Sequence, residues 1–233
     1  MKALVTGGAS TLGAAIVRRL AADGRQVVVH AHGNAAAARD LAAEVGGSVL
    51  VCDLADIAAT EAALRPVLAE GVPQIVVHAA GIHDDVPLAG MTELQWRRVI
   101  GVTLDGFFAV TRPLLLPMMA TRWGRIVAIS SVAAQLGNRG QVNYAAAKAG
   151  LEGAVRALAR EVASRGITVN AVAPGIIASP AADAAFDARA IAALVPMKRA
   201  GQAGEVADLV GFIASDRAGY ITGQTIAING GLA

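Results

Sequence analysis

Tyr144 and Lys148 stand four residues apart in the run Asn143-Tyr144-Ala145-Ala146-Ala147-Lys148, and Ser131 lies thirteen residues before the tyrosine, at the end of an apolar segment. Four residues is just over one helical turn, so on a helix the phenol and the ammonium share one face. An unperturbed phenol has a pKa of about 10. A cation beside it favours the phenolate, so the spacing predicts that Lys148 lowers the tyrosine pKa and lets it trade a proton nearer neutrality. Taken alone, the pair also fits an ordinary solvated face of an alanine-rich helix. The chain holds only two tyrosines, and the elements around this one decide between the readings.

Those elements alternate. Short β-branched runs (Ala3–Val5, Gln26–His30, Ser48–Val51, Gln74–His78, Arg125–Ile129, Thr168–Val172 and Thr225–Ile228) are separated by stretches of helical period near 12–23, 34–45, 57–70, 92–121, 142–164 and 203–214. The runs are apolar on both faces, as parallel strands covered by helices must be. Alternation of this kind predicts an α/β fold: a single-domain, doubly wound, seven-stranded parallel sheet flanked by helices over residues 1–233. In such a sheet the ligand lies beyond the carboxyl ends of the strands, where the strand order reverses. Segment 178–200, with Pro180 and Pro196, fits neither period and leaves a strand's carboxyl end directly, so it is expected to form a lid over the site.

Composition narrows the classes. Apolar residues make up 55 % of 233 and charged residues 16 %, enough to bury a large core. A formal charge of only +2 and an aromatic content of 3 % do not describe a nucleic-acid binder. The single Cys52 rules out a disulfide framework and, within Val49-Leu50-Val51-Cys52, reads as a buried structural thiol. No uninterrupted apolar stretch reaches the length of a membrane span. Met1-Lys2-Ala3-Leu4-Val5-Thr6-Gly7 runs straight into a strand pattern without a secretion signal, so a cytoplasmic protein is expected.

The first strand ends in Thr6-Gly7-Gly8-Ala9-Ser10-Thr11-Leu12-Gly13 and passes into a helix. A glycine-rich turn of this kind brings backbone amides and a helix N-terminus to a pyrophosphate, and at the start of an alternating chain it predicts a dinucleotide site. The second strand ends Val29-His30-Ala31-His32-Gly33-Asn34. No carboxylate stands there to bond ribose hydroxyls or repel a 2′-phosphate, which favours NADPH, with His32, Asn34 and Arg39 as candidate phosphate contacts.

The same residues resemble the short-chain dehydrogenase/reductase family, whose turn reads T-G-x-x-x-G-x-G. Gly7 and Gly13 match its outer glycines, while Ser10 and Thr11 replace an arginine frequent in NADP-dependent relatives and the middle glycine. Because threonine lacks glycine's freedom at positive φ, Thr11 is expected to narrow the phosphate site or to donate a hydroxyl there. The resemblance places Asp53 and Leu54 at the adenine, and Ala80 and Gly81, within His78-Ala79-Ala80-Gly81 in place of N-N-A-G, against the cofactor. It is most specific in Gly124-Arg125-Ile126-Val127-Ala128-Ile129-Ser130-Ser131 and in Gly137–Leu151. It implies that Ser131 bonds the substrate carbonyl, that Tyr144 protonates the oxygen as hydride arrives, and that Lys148 bonds the nicotinamide ribose. The thirteen-residue offset selects Ser131 over Ser130. Pro174-Gly175-Ile176-Ile177-Ala178-Ser179 resembles P-G-x-x-x-T at the nicotinamide amide. The family's catalytic asparagine, which holds a water behind the lysine, is Thr103 here, so a rebuilt or weakened proton relay is expected.

The resemblance covers essentially the whole chain and is closest to β-ketoacyl-(acyl-carrier-protein) reductases, through Ala159–Asn170 and Gly219–Ile226. Gly137-Asn138-Arg139-Gly140-Gln141 looks like the reductases of aryl polyene and polyketide-type clusters. It implies an acyl carrier protein presenting a 3-oxoacyl thioester, docked on Arg122 and Arg165 near the site mouth, with Arg97, Arg98 and Arg125 as weaker candidates. It also implies a homotetramer built on helices 103–121 and 142–164, where Ala145, Ala149 and Gly153 allow close approach. The alternatives are a reductase of free ketones and a weakly active subunit stabilising a partner in a hetero-oligomer, the latter motivated by Thr11, Ala79 and Thr103.

Overall fold

The computed structural model describes residues 1–233, with only the side chain of residue 181 outside the description. All seven expected strands form: β1 Lys2–Thr6, β2 Gln26–Ala31, β3 Ser48–Val51, β4 Pro73–His78, β5 Gly124–Ile129, β6 Ile167–Pro174 and β7 Thr225–Ile228. They make one parallel sheet in the order β3-β2-β1-β4-β5-β6-β7. The order reverses between β1 and β4, so the crevice opens where Thr6 and His78 end their strands side by side.

Side-chain alternation divides the core in two. On β1, Ala3 and Val5 pack with Ile16 and Leu20 of α1 (Thr11–Ala22) and Leu41 of α2 (Ala35–Glu44). Leu4 faces the opposite layer, with Leu64 of α3 (Ile57–Ala69) and Val76 of β4. That opposite layer continues through α4 (Glu93–Ile100), α5 (Gly106–Thr121), the short α6 (Ala133–Leu136) and α7 (Val142–Val162). Both faces of the central strands are therefore dry, which is why their sequences show no polar alternation.

The stretch expected as one helix over 92–121 is interrupted. Residues Gly101–Asp105 form a π turn in which the Gly106 amide reaches back five residues to the Gly101 carbonyl. Gly106, at its end, packs closely: a Cβ there would come within 3.0 Å of the Leu54 Cβ and 3.5 Å of the His78 ring. Single π turns inside helices concentrate at functional sites. The combined helix Glu93–Thr121 is long and apolar enough, by length and composition, to pass as a membrane span, but Asp105 and Arg112 interrupt its apolar run and half of its apolar window is buried within the fold.

Segment 178–200 contains two short helices, α8 (Pro180–Ala185) and α9 (Ala188–Leu194), before α10 (Ala203–Ile213) joins α1 in the first layer. Its base is pinned by the Ile177–Gly201 bridge, in which Ala178 N donates to Gly201 O at 2.8 Å. Cys52 is half-buried, short of the full burial its apolar run suggested, and burial raises its thiol pKa.

Candidate active site

Two clefts meet at the carboxyl edge of the sheet. The first, about 600 Å³, is lined by Leu12, Ala79, Gly81, Lys148, Pro174 and Gly175 among others. The second, about 1250 Å³, runs beneath the α8–α9 segment, with Leu136, Ala182, Phe186, Leu194 and Leu232 on its walls. Ser131 and Tyr144 line both clefts. A group reaching in from either side therefore meets the same hydroxyls.

Ser131 stands two residues past β5 and accepts from the Ala133 amide at 3.2 Å, which fixes its hydroxyl over the opening of α6. Ser130 is turned away: it is buried and donates to Glu152 Oε1 at 2.6 Å. The offset argument and the geometry agree on Ser131. Tyr144 sits in the first turn of α7, where its amide donates to the Asn143 side chain at 2.8 Å. Asn143, with no exposed surface, reaches the carbonyls of Asp84 and Gln95 and so anchors the helix start to the β4–α4 connection.

Lys148 is 3 % exposed, which removes the solvated-face reading. Its ammonium donates to the Ile129 carbonyl at 2.8 Å and lies 5.5 Å from the centroid of the Tyr144 ring. The expected effect on the tyrosine is reversed. Burial raises the Tyr144 pKa, the Ser131 side chain partly offsets this, and the Asp85 carboxylate pushes it up further. Burial lowers the Lys148 pKa to about 8. Desolvation dominates the shift, and the lysine addresses the ring rather than the hydroxyl.

At the glycine turn, Gly7 has φ +63°, and a Cβ there would lie 2.9 Å from Ala80 Cα. Only glycine lets the β1 and β4 loops cross this closely. Ser10 caps α1: its hydroxyl donates to Gly7 O at 2.8 Å and accepts from Gly13 N at 3.0 Å. The amides of Thr11 and Leu12, first in the helix, have no intrahelical partner and are free for an anion. Thr11 is itself the first helical residue and has no positive φ, so glycine's freedom is not needed there and the expected penalty does not arise. The free amides, the positive-φ turn and the cleft at the strand order's reversal together fit a dinucleotide.

Other expected contacts divide. His32 and Arg39 are exposed beyond β2, while Asn34 caps α2 through Ala37 N at 3.3 Å. Asp53 is half-buried and closes a turn on Ala55 N. The Leu54 side chain belongs to the core, so only its backbone could meet a ligand. Ala80 is also turned inward, its amide donating to Thr6 Oγ1 at 3.1 Å; Ala79 and Gly81 line the cleft in its place. Pro174, Gly175 and Ile177 line the first cleft. Ser179 caps α8 through Ala182 N.

The two arginines do not stand at their own chain's site mouth. Arg122 ends α5 with φ 53° and donates to Ser164 O at 3.2 Å, next to Arg165. Both precede their strands, so they lie at the amino edge of the sheet, roughly 20 Å of β5 away from Ser131. Arg125 is buried against Gly124 O and Ser215 O. Arg97 pairs with Glu93, and Arg98 with Asp84.

Sequence reasoning missed two buried histidines. His30 accepts from the Gly7 amide at Nδ1 and donates to the Cys52 carbonyl at Nε2, both at 3.1 Å. His78 bridges Thr6 and Thr103. The available signal was a polar ring following three consecutive apolar or β-branched residues near the carboxyl end of each strand, where a partner must exist. His83, at the join of the two clefts, was also overlooked.

Residues 7–233 match the family model described as enoyl-(acyl carrier protein) reductase. The chain is 44 % identical to 3-oxoacyl-[acyl-carrier-protein] reductase FabG of Pseudomonas aeruginosa, over 99 % of its length and 96 % of that protein's. The FabG reductase of Escherichia coli gives the same identity and coverage. An acetoacetyl-CoA reductase from Shinella zoogloeoides is 42 % identical over 98 % of the chain and 97 % of its own length.

Proposed function

The chain belongs to the short-chain dehydrogenase/reductase family, and from that premise we propose that it reduces the 3-oxo group of an acyl thioester on an acyl carrier protein, using NADPH. The observation that carries this reading is the meeting of two clefts at Ser131 and Tyr144, one bordered by the glycine-turn helix and the other apolar and roofed by α8 and α9.

The free amides after Ser10 would hold the pyrophosphate, His32 and Asn34 the 2′-phosphate, Asp53 and the Leu54 backbone the adenine end, and Pro174, Gly175 and Ile177 the nicotinamide. The nicotinamide cofactor supplies the hydride. Ser131 donates to the 3-oxo oxygen, orienting the carbonyl and stabilising its developing charge. Tyr144, kept protonated by burial, gives its proton to that oxygen. Lys148 holds a buried positive charge below both groups and has further N–H donors for a ribose hydroxyl. Leu136, Phe186 and Leu194 exclude water from the acyl chain.

The carrier protein is acidic in this reading, and Arg122 and Arg165 are its proposed contacts. Because they lie at the opposite sheet edge, a carrier docked there serves a site on a second copy of the chain. Exposed Phe108 and Leu116 on α5, beside the small-residue face of α7, support a homotetramer assembled through these helices. The test follows NADPH and NADH oxidation with 3-oxoacyl thioesters on carrier protein and on coenzyme A, alongside a 2-enoyl thioester. NADPH-dependent turnover of the 3-oxo carrier substrate supports the proposal. Turnover confined to the enoyl substrate, or to free ketones, rejects it.

A further inference from the structure

We propose that His78 is a positioning residue for proton delivery: its imidazole spans from the Thr6 hydroxyl to the Thr103 carbonyl and thereby fixes the Thr103 hydroxyl beside the Lys148 ammonium. The proposal rests on the reductase reading above and adds a residue to it.

The hydrogen-bond pattern allows one arrangement. A carbonyl can only accept, so His78 Nε2 carries the proton and donates to Thr103 O at 3.0 Å. Nδ1 is then a lone pair and accepts from the Thr6 hydroxyl at 3.1 Å, while Thr6 Oγ1 accepts from Ala80 N. The result is a directed chain from the β4 loop, through the end of β1, to the π turn. Every polar atom in it is partnered. The ring is fully buried and packs edge-to-face with Phe107, with centroids 5.7 Å apart.

The Thr103 hydroxyl is the exception. It has no exposed surface and no hydrogen-bond partner. A buried hydroxyl left unpartnered is destabilising, and natural sites satisfy it with a bound water or a nearby donor. The nearby donor is Lys148. Its Nζ lies 3.0 Å from the point where a Cβ on Gly81 would sit, and Thr103 Oγ1 lies 3.9 Å from the same point. Glycine at 81 thus keeps open a polar space shared by the hydroxyl and the ammonium. His78 sets one wall of that space by holding the turn that carries Thr103.

Charge keeps the brace in one state. The charged groups that act on the imidazole are Lys148 on α7 and His30 on β2. Burial, reinforced by Lys148, lowers the His78 pKa to about 3, so the ring stays neutral and leaves Lys148 as the local cation.

The test is a double-mutant cycle between His78→Leu and Thr103→Val in the full chain, read as kcat and as KM for NADPH, with wild type in the same assay. Each single variant is expected to lower kcat about tenfold with KM changed less than twofold, and the double variant to be no slower than either. His78→Gln, which restores an N–H toward the carbonyl, is expected to recover most of the loss. If His78→Leu does not fold, His78→Ala takes its place in the same cycle. Losses that multiply in the double variant, or a Thr103→Val enzyme at wild-type kcat, overturn the proposal. A wild-type protein inactive on every 3-oxoacyl thioester rejects the reductase reading and this proposal with it.

Discussion

Lys148 donates to the Ile129 carbonyl at 2.8 Å, so the residue expected to activate Tyr144 is tied to the end of β5, with its ammonium 5.5 Å from the phenol's ring centroid. Burial places its pKa at about 8, and it carries its charge below that pH. Cofactor affinity is therefore predicted to weaken as pH rises through about 8, because the neutral amine no longer attracts the dinucleotide. Calorimetric titration with NADPH from pH 6.5 to 9.5 measures this. A Kd flat across that range contradicts it, and Lys148→Met should bind weakly at every pH.

Tyr144 has its pKa raised by burial, so at neutral pH it is an acid holding its proton. Tyr144→Phe keeps the ring contact with Lys148 and removes only the hydroxyl. Turnover should fall by about 10²–10⁴-fold, the range for loss of a positioned acid, with melting temperature within a degree or two of wild type. A variant retaining more than a tenth of wild-type turnover would move the acid elsewhere.

The buried histidines make stability pH-dependent. His30 has its pKa lowered to about 4, chiefly by burial, against an ordinary value near 6.5. Between those values the unfolded chain binds more protons, so the stabilisation is complete above about pH 6.5 and is lost as pH falls toward 4. The difference amounts to roughly 3 kcal/mol from His30, and His78 adds in the same direction at lower pH. Thermal melts should drop steeply from pH 6.5 to 4.5, and His30→Asn should flatten that slope. Equal slopes in the two proteins would locate the acid sensitivity in other groups.

Thr11 occupies the first turn of α1 in helical conformation. Thr11→Gly should leave NADPH affinity within threefold, since no strain is relieved and the amide is already free. An affinity gain above tenfold in fluorescence titration would show that the side chain obstructs the phosphates.

The sequence alone determined the sheet and which hydroxyls meet at its carboxyl edge. Doubly apolar strands can only be parallel and covered, glycine at the end of β1 can only be a tight crossing, and the Ser131–Tyr144–Lys148 spacings survive because strand and helix periods are rigid. Tertiary structure decided what local spacing does not encode. The Tyr144 pKa moved opposite to expectation because it depends first on burial, then on the Ser131 side chain and the Asp85 carboxylate, none of which local spacing encodes. Ala80 rather than Ala79 faced inward because Thr6 takes its amide. Arg122 and Arg165, each read as a cation near the site, lie at the opposite sheet edge from their own chain's cleft, because the six residues of β5 and the eight of β6 separate them from it. The His78–Thr103 bridge, spanning twenty-five residues, needed the strand order to reverse between β1 and β4 and the helix to widen at Gly101. Periodicity is a property of neighbours along the chain; desolvation and buried hydrogen bonds belong to neighbours in space.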